Sequence, residues 1–83
     1  MDYVLTQHAQ DLLLRRNIPI AWIERTLDAP AIVDSDRIDD TLEHRLAPIP
    51  EHGHRVLRVI INKLSNPVRV VTFYFDRNMR DNI

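Results

Sequence analysis

The 83-residue chain has no cysteine, a single glycine (Gly53) and no long apolar run. Without cysteine, neither disulfide bonds nor thiolate metal sites can stabilise the fold, and the redox compartment is not constrained. The apolar runs are far too short to span a bilayer, and the opening Met-Asp-Tyr-Val has neither a basic leader nor an apolar signal segment. We therefore expect a cytoplasmic protein without a membrane partner.

The charges are distributed unevenly although the formal net charge is only −1. Residues 1–44 contain four arginines and nine acidic residues, whereas residues 45–83 contain seven basic and three acidic residues. A basic half of this kind can hold a phosphate backbone even when the whole molecule is nearly neutral. The simpler alternative is that the two halves neutralise each other across the fold.

The first thirty residues carry the periodicity of two helices. Thr6 is placed to cap the first helix, and Asn17 is suited to the left-handed residue that ends it. Pro19 can open the second helix, which should stop before Pro30 because the residue preceding a proline avoids the helical region. Tyr3-Val4-Leu5 reads either as a short strand or as an apolar lead-in.

From residue 31 onward the hydrophobic period changes to two. The pattern predicts strands at 31–33, 41–46, 55–62 and 68–75, with a proline-containing connection at 47–54. On the last two strands, alternation places Leu57, Val59 and Ile61 with Val71, Phe73 and Phe75 on the core side. The opposite side of these strands is unusually apolar, so we expect the tail or a partner to cover it, or a groove to form there.

These elements predict one α+β domain spanning residues 1–83. Two N-terminal helices (1–30) should pack on one face of a three- to four-stranded antiparallel sheet (31–75), followed by a loose tail (76–83).

The chain resembles a small bacterial domain-of-unknown-function family that is grouped by fold with the RelE-type and barnase-like toxin ribonucleases. The resemblance rests on short motifs that run through nearly the whole chain. The matching residues are Thr6, His8, Ala9, Arg16, Ile18, Pro30 and the strand Val71-Thr72-Phe73-Tyr74.

The resemblance implies a RelE-like fold and metal-independent cleavage of RNA by attack of the 2′-OH on the adjacent phosphate. Such a reaction needs a base, an acid and positive charge around the phosphorane. By position, His8 would be the acid–base residue, Arg16 a phosphate ligand, and Thr72 and Tyr74 supporting hydrogen-bond donors. The family commonly has an arginine four residues after the histidine, where this chain has Leu12, and a glycine where it has Asn17.

Each of these residues also has a purely structural interpretation. A histidine in the first helical turn can hydrogen-bond a strand instead of a substrate, and arginines near a helix end compensate the dipole. Thr72 and Tyr74 are favoured in strands on propensity alone. Arg15 lies on the same helical face as His8, whereas Arg16 is rotated about 80° from it.

Four further basic residues are candidate RNA contacts: Arg15, Arg45, Arg58 and Arg69. Protection of edge strands explains some of them without a ligand. His44, His52 and His54 lack the spacing of a metal site, so we expect no metal and no cofactor. Three functions stay open. The first is a toxin-type ribonuclease with RNA as substrate and an antitoxin-like protein partner, and the second is a non-catalytic interaction domain that forms a homodimer or binds another protein. The third is a domain that binds nucleic acid without catalysis.

Overall fold

The computed structural model describes residues 1–83, and two helices interrupt a series of five strands. The elements are β1 (Tyr3–Leu5), α1 (Gln7–Arg16), α2 (Ile20–Asp28), β2 (Ile32–Ser35), β3 (Leu42–Ile49), β4 (Arg55–Asn62) and β5 (Val68–Phe75). Short 3₁₀ turns follow β3 at Pro50–His52 and β5 at Arg77–Met79.

Helix α1 has the two caps that the sequence predicts. The hydroxyl of Thr6 accepts a hydrogen bond from the backbone N–H of Ala9 at 3.1 Å, which satisfies one of the free donors at the helix start. Asn17 ends the helix in the left-handed region with φ 53° and ψ 44°. Arg15 and Arg16 occupy the last turn, where the helix dipole favours positive charge.

Helix α2 starts directly after Pro19 and ends at Asp28, two residues before Pro30, as predicted. Ile23 and Leu27 are buried, whereas Ile20 at the first position of the helix is 39% exposed. The helix therefore packs against the sheet through the residues that follow its first position.

The sheet is mixed and has five strands in the order β1-β5-β4-β3-β2, so the prediction of three or four antiparallel strands was wrong. Tyr3–Leu5 is a strand, and it pairs in parallel with Val68–Val70 at the far end of the chain. The other neighbours are antiparallel. Three residues are too few to show a period, and a partner 65 residues away leaves no local signal.

Strand β3 extends to Ile49, beyond the predicted end at Leu46. Its last residues include Pro48, which pairs with Val56 of β4. Strand β2 begins opposite Leu46, so the end of β3 has a free edge, and proline is tolerated on such an edge.

A β-bulge in β5 changes which residues enter the core. Ile60 pairs with Thr72 and Ile61 with Val70, which leaves Val71 as an extra residue. Val70 is therefore buried together with Phe73, and the assignment of Val71 to the core side was wrong. After the bulge the strand alternates regularly, so Thr72 and Tyr74 lie on the face away from the core, opposite Phe73 and Phe75.

The core lies between the helices and one face of the sheet, as predicted. The buried residues of this cluster are Ala9, Leu12, Ile23, Leu27, Ile49, Leu57, Val59, Ile61, Val70 and Phe73. Both helices contribute to it, which fixes their position over the central strands.

The outer face of the sheet is partly covered. Leu46 and Val56 lie on this face and are fully buried. The segment 76–83 begins with a 3₁₀ turn that packs against β4, and Asp76 caps this turn by accepting from the N–H of Asn78 at 3.0 Å. No helix is long and apolar enough to cross a membrane.

An ion pair ties α2 to the turn after β3. Arg25 donates two hydrogen bonds to Glu51, one of them from Nη1 to Oε1 at 2.8 Å. These bonds lower the pKa of Glu51 to about 2. The turn that carries His52 and Gly53 is therefore held next to α2.

Candidate functional site

The start of α1 is anchored to β5, and this anchor places His8. The backbone N–H of Thr6 donates to the carbonyl of Val70 at 3.0 Å, and its hydroxyl donates to the carbonyl of Val71 at 3.0 Å. His8, two residues further on, brings Nε2 within 3.1 Å of the hydroxyl oxygen of Thr72. His8 is exposed, so its imidazole faces solvent and is outside the core.

His8 and Thr72 are thus two predicted site residues in direct contact, although 64 positions separate them. Tyr74 is two residues beyond Thr72 on the same face of β5 and is 39% exposed. Since β1 pairs only with Val68–Val70, the end of β5 that carries these two side chains has a free edge.

A cleft of about 370 Å³ lies at this end of β5, and we call it the arginine cleft. It is lined by Arg16, Arg55, Tyr74, Phe75, Asp76, Arg77 and Arg80. Two predicted site residues, Arg16 and Tyr74, therefore line the same cleft. Arg16 lies about 12 Å along α1 from His8.

Most of the positive charge in the arginine cleft has no partner within the protein. Arg16, Arg55 and Arg77 make no side-chain hydrogen bond or ion pair, and Arg80 donates only to the carbonyl of Gly53 at 3.3 Å. Asp76, the one acidic residue of the cleft, is already paired with Arg58. The cleft therefore offers four guanidinium groups to an anion.

Three of these arginines were missed from the sequence: Arg55, Arg77 and Arg80. Arg55 opens β4, and the other two belong to the segment that folds back over it after β5. The only signal was the spacing of Arg77 and Arg80, which puts them near each other in a turn. Nothing in the sequence shows that this turn meets α1.

The other predicted RNA contacts lie elsewhere and are engaged to different degrees. Arg45 donates to Glu43 at 3.0 Å and to the carbonyl of Leu27 at 2.9 Å, so it holds α2 against β3. Arg15 and Arg69 are exposed and free of ion pairs. Arg69 is near the opposite end of β5, about 20 Å from the arginine cleft.

Arg58 belongs to a polar chain that crosses the outer face of the sheet. Its Nε donates to Asp76 at 2.9 Å, and its Nη1 donates to Nδ1 of His44 at 2.7 Å. The Nε2 of His44 in turn contacts Asp36 at 2.7 Å. A guanidinium cannot accept a hydrogen bond, so Nδ1 of His44 is the acceptor and its Nε2–H donates to Asp36. The backbone N–H of Asp39 and then His44 hold the pKa of Asp36 below its usual range.

Replacing Arg58 with methionine is expected to destabilise the protein by about 3 kcal/mol. The Arg58 and Asp76 side chains are only 15% and 12% exposed, and the change leaves a largely buried carboxylate without its cation. Urea denaturation monitored by circular dichroism measures the effect. The control is Arg69→Met, an exposed arginine without an ion pair, which should change stability by less than about 0.5 kcal/mol. Equal stability of the two variants would contradict this role of Arg58.

The remaining histidines do not assemble a metal site. His44 is held in the polar chain, His52 packs against Trp22 and Phe75, and His54 is exposed. Nowhere in the chain do three histidine or acidic side chains converge in a way that could hold a metal ion.

The fold and the site together define a small α+β domain whose first helix and last strand join an exposed histidine–threonine pair to an arginine-lined cleft. The chain belongs to the DUF4258 family, a domain of unknown function whose profile matches residues 5–75. This match confirms the resemblance to a domain-of-unknown-function family, and the grouping with RelE-type toxins stays a prediction. It covers the positions of His8, Arg16, Thr72 and Tyr74 and ends before Arg77 and Arg80. No curated protein and no solved structure shows significant similarity to the chain.

Proposed function

We propose that this chain is a RelE-like, toxin-type domain that binds RNA and cleaves it without a metal ion. The observation that carries the proposal is the contact between His8 and Thr72 next to a cleft lined by four arginines. An imidazole, hydroxyl donors and concentrated positive charge are the groups that transesterification of RNA requires.

In this reaction His8 takes the proton of a ribose 2′-OH, and the 2′-oxygen attacks the adjacent phosphorus. The bond from phosphorus to the 5′-oxygen breaks, and that oxygen takes a proton from Tyr74 or from water. The products are a 2′,3′-cyclic phosphate and a 5′-hydroxyl end. Thr72 orients the imidazole, and Arg16 in the arginine cleft binds a phosphate of the RNA backbone.

The arginine that relatives carry one helical turn after the histidine corresponds here to Leu12, which is 5% exposed and part of the core. That position cannot supply charge to the site. Arg55, Arg77 and Arg80 supply it from β4 and from the turn after β5 instead. The proposed active site therefore keeps its positive charge in a different arrangement.

In the alternative of a non-catalytic interaction domain, which Leu12 and the nearly neutral charge favour, the partner binds the apolar outer face of the sheet. Leu46 and Val56 are already buried there, and the chain from Asp36 to Asp76 crosses the same face. These contacts leave less apolar surface for a partner than the sequence suggested. The ribonuclease proposal therefore has the stronger support.

The direct test is to incubate the purified protein with single-stranded RNA in EDTA. We expect cleavage that yields 2′,3′-cyclic phosphate ends, detected by gel electrophoresis and mass spectrometry. The matched substrate is the same RNA with 2′-O-methyl groups, which should bind and remain intact because it lacks the nucleophile. Absence of cleavage, together with no growth defect when the protein is expressed in bacteria, would overturn the enzyme proposal.

A further inference from the structure

The arginine cleft adjoins a second concavity of about 270 Å³. We call it the aromatic pocket, and it is lined by Arg16, Asn17, Ile18, Trp22, His52 and Phe75. Arg16 and Phe75 line both cavities, so the two form one continuous surface. Taken together they are within the range of roughly 300–1,000 Å³ that small-molecule sites occupy.

The aromatic pocket presents flat ring surfaces that the fold does not fully bury. The Trp22 and His52 rings are 5.5 Å apart between centroids, and those of His52 and Phe75 are 4.7 Å apart. Trp22 and Phe75 pack against the core on one side, yet all three side chains remain half-buried. Partly exposed aromatic rings can serve as platforms on which nucleic-acid bases stack.

The end of α1 joins the two kinds of surface. Arg16 is the last residue of the helix, and Asn17 caps it in a left-handed conformation. The side chain of Asn17 makes no hydrogen bond within the protein, so its amide is free for the polar edge of a base. Arg16 therefore lies between the arginine cleft, which can bind a phosphate, and the aromatic pocket, which can stack a base.

We propose that the arginine cleft and the aromatic pocket bind one unit of single-stranded RNA, with its phosphate on the arginines and its base against Trp22 and His52. This site rests on the proposed function and narrows its substrate to RNA with unpaired bases. One guanidinium group can donate two parallel hydrogen bonds to the oxygens of a phosphate, so the arginine cleft suits the RNA backbone. A base that is paired in a duplex cannot enter the aromatic pocket.

The chain supplies its own probe, because Trp22 is its only tryptophan. Its fluorescence should be quenched in a saturable way by a single-stranded RNA oligonucleotide. An abasic oligonucleotide of the same length should bind about tenfold more weakly and leave the fluorescence unchanged. Inorganic phosphate should compete without quenching, and duplex RNA should not quench. The His8→Ala variant serves for these titrations, since it keeps the cleft and is expected to cleave RNA far more slowly than the wild type.

The charge is tested with the double variant Arg77→Gln/Arg80→Gln. Its affinity for the oligonucleotide should fall at least tenfold, and the slope of log affinity against log salt should decrease by about two. The matched control is Arg37→Gln/Lys63→Gln, two exposed basic residues outside the cleft, which should retain affinity. Trp22→Leu should keep the fold, checked by circular dichroism, and lose the preference for oligonucleotides with bases.

Two results would overturn this site. One is saturation with a labelled RNA oligonucleotide, measured by fluorescence anisotropy, while the Trp22 emission stays unchanged. The other is an equal loss of RNA affinity in the two double variants. The outcome is separable from that of the enzyme proposal. RNA cleavage without a Trp22 response would remove only the nucleotide site. Saturable quenching without cleavage by the wild type would remove only the enzyme.

Discussion

The variant His8→Ala is expected to cleave RNA about 10²–10⁴-fold more slowly than the wild type. This is the usual contribution of one acid–base group, and His8 is the only histidine in contact with a hydroxyl of β5. Alanine is the best helix former and the position is exposed, so folding should be unaffected. Single-turnover rates at saturating protein measure the chemical step.

The control for this variant is His54→Asn. His54 is exposed, makes no side-chain hydrogen bond and has a positive φ of 58°, which asparagine tolerates. It should cleave at the wild-type rate. Thr72→Val keeps the shape of the side chain and removes only its hydrogen bond to the imidazole. Its cleavage rate should therefore lie between the rates of His8→Ala and His54→Asn. If His8→Ala cleaves as fast as His54→Asn, His8 is not the acid–base residue.

Phe73→Ala is expected to destabilise the domain by about 4 kcal/mol. Phe73 is 1% exposed and packs in the core cluster between the sheet and the helices. Truncation removes its transfer free energy and leaves a cavity that the neighbours fill only in part. A domain of this size has a total stability of roughly 4–12 kcal/mol, so the variant should be close to unfolding at room temperature.

Urea denaturation in comparison with Leu64→Ala tests this prediction. Leu64 is 72% exposed, so the same kind of truncation there should cost less than about 0.5 kcal/mol. A loss of stability below about 1 kcal/mol for Phe73→Ala would contradict this prediction. The assignment of Phe73 to the centre of the core would then be wrong.

The parts of the fold that sequence reasoning predicted correctly depend on neighbours along the chain. Thr6 and Asn17 cap α1 through hydrogen bonds within one helical turn, and Pro30 limits α2 through the residue next to it. Both signals are local, so spacing alone reveals them. The buried faces of α1 and β4 follow from periodicity for the same reason.

The parts that it missed or left open depend on contacts between distant residues. Strand β1 exists because β5 is available to pair with it, and the bulge at Val71 appears only when β5 is aligned with β4. The strict alternation that we assumed for β5 fails at one residue, which is enough to exchange Val71 for Val70 in the core. A period of two cannot show such an insertion.

The candidate site divides in the same way. His8, Arg16, Thr72 and Tyr74 were named through motifs of the family, and the structure brings them to one end of β5. Arg55, Arg77 and Arg80 carry no motif, since their role depends on the turn after β5 folding back towards α1. Their contribution could be found only from the three-dimensional arrangement.

The pairing of β1 with β5 has a consequence for how the protein is made. Strand β1 and His8 of α1 leave the ribosome before β5, because their partners in β5 are synthesised more than sixty residues later. Until β5 is synthesised, β1 has no strand to pair with and His8 cannot contact Thr72. The arginine cleft that Arg16 lines cannot form either. A nascent chain, or one that a protease has cut after β4, therefore contains His8 without Thr72 and without the arginine cleft that the proposed ribonuclease activity requires.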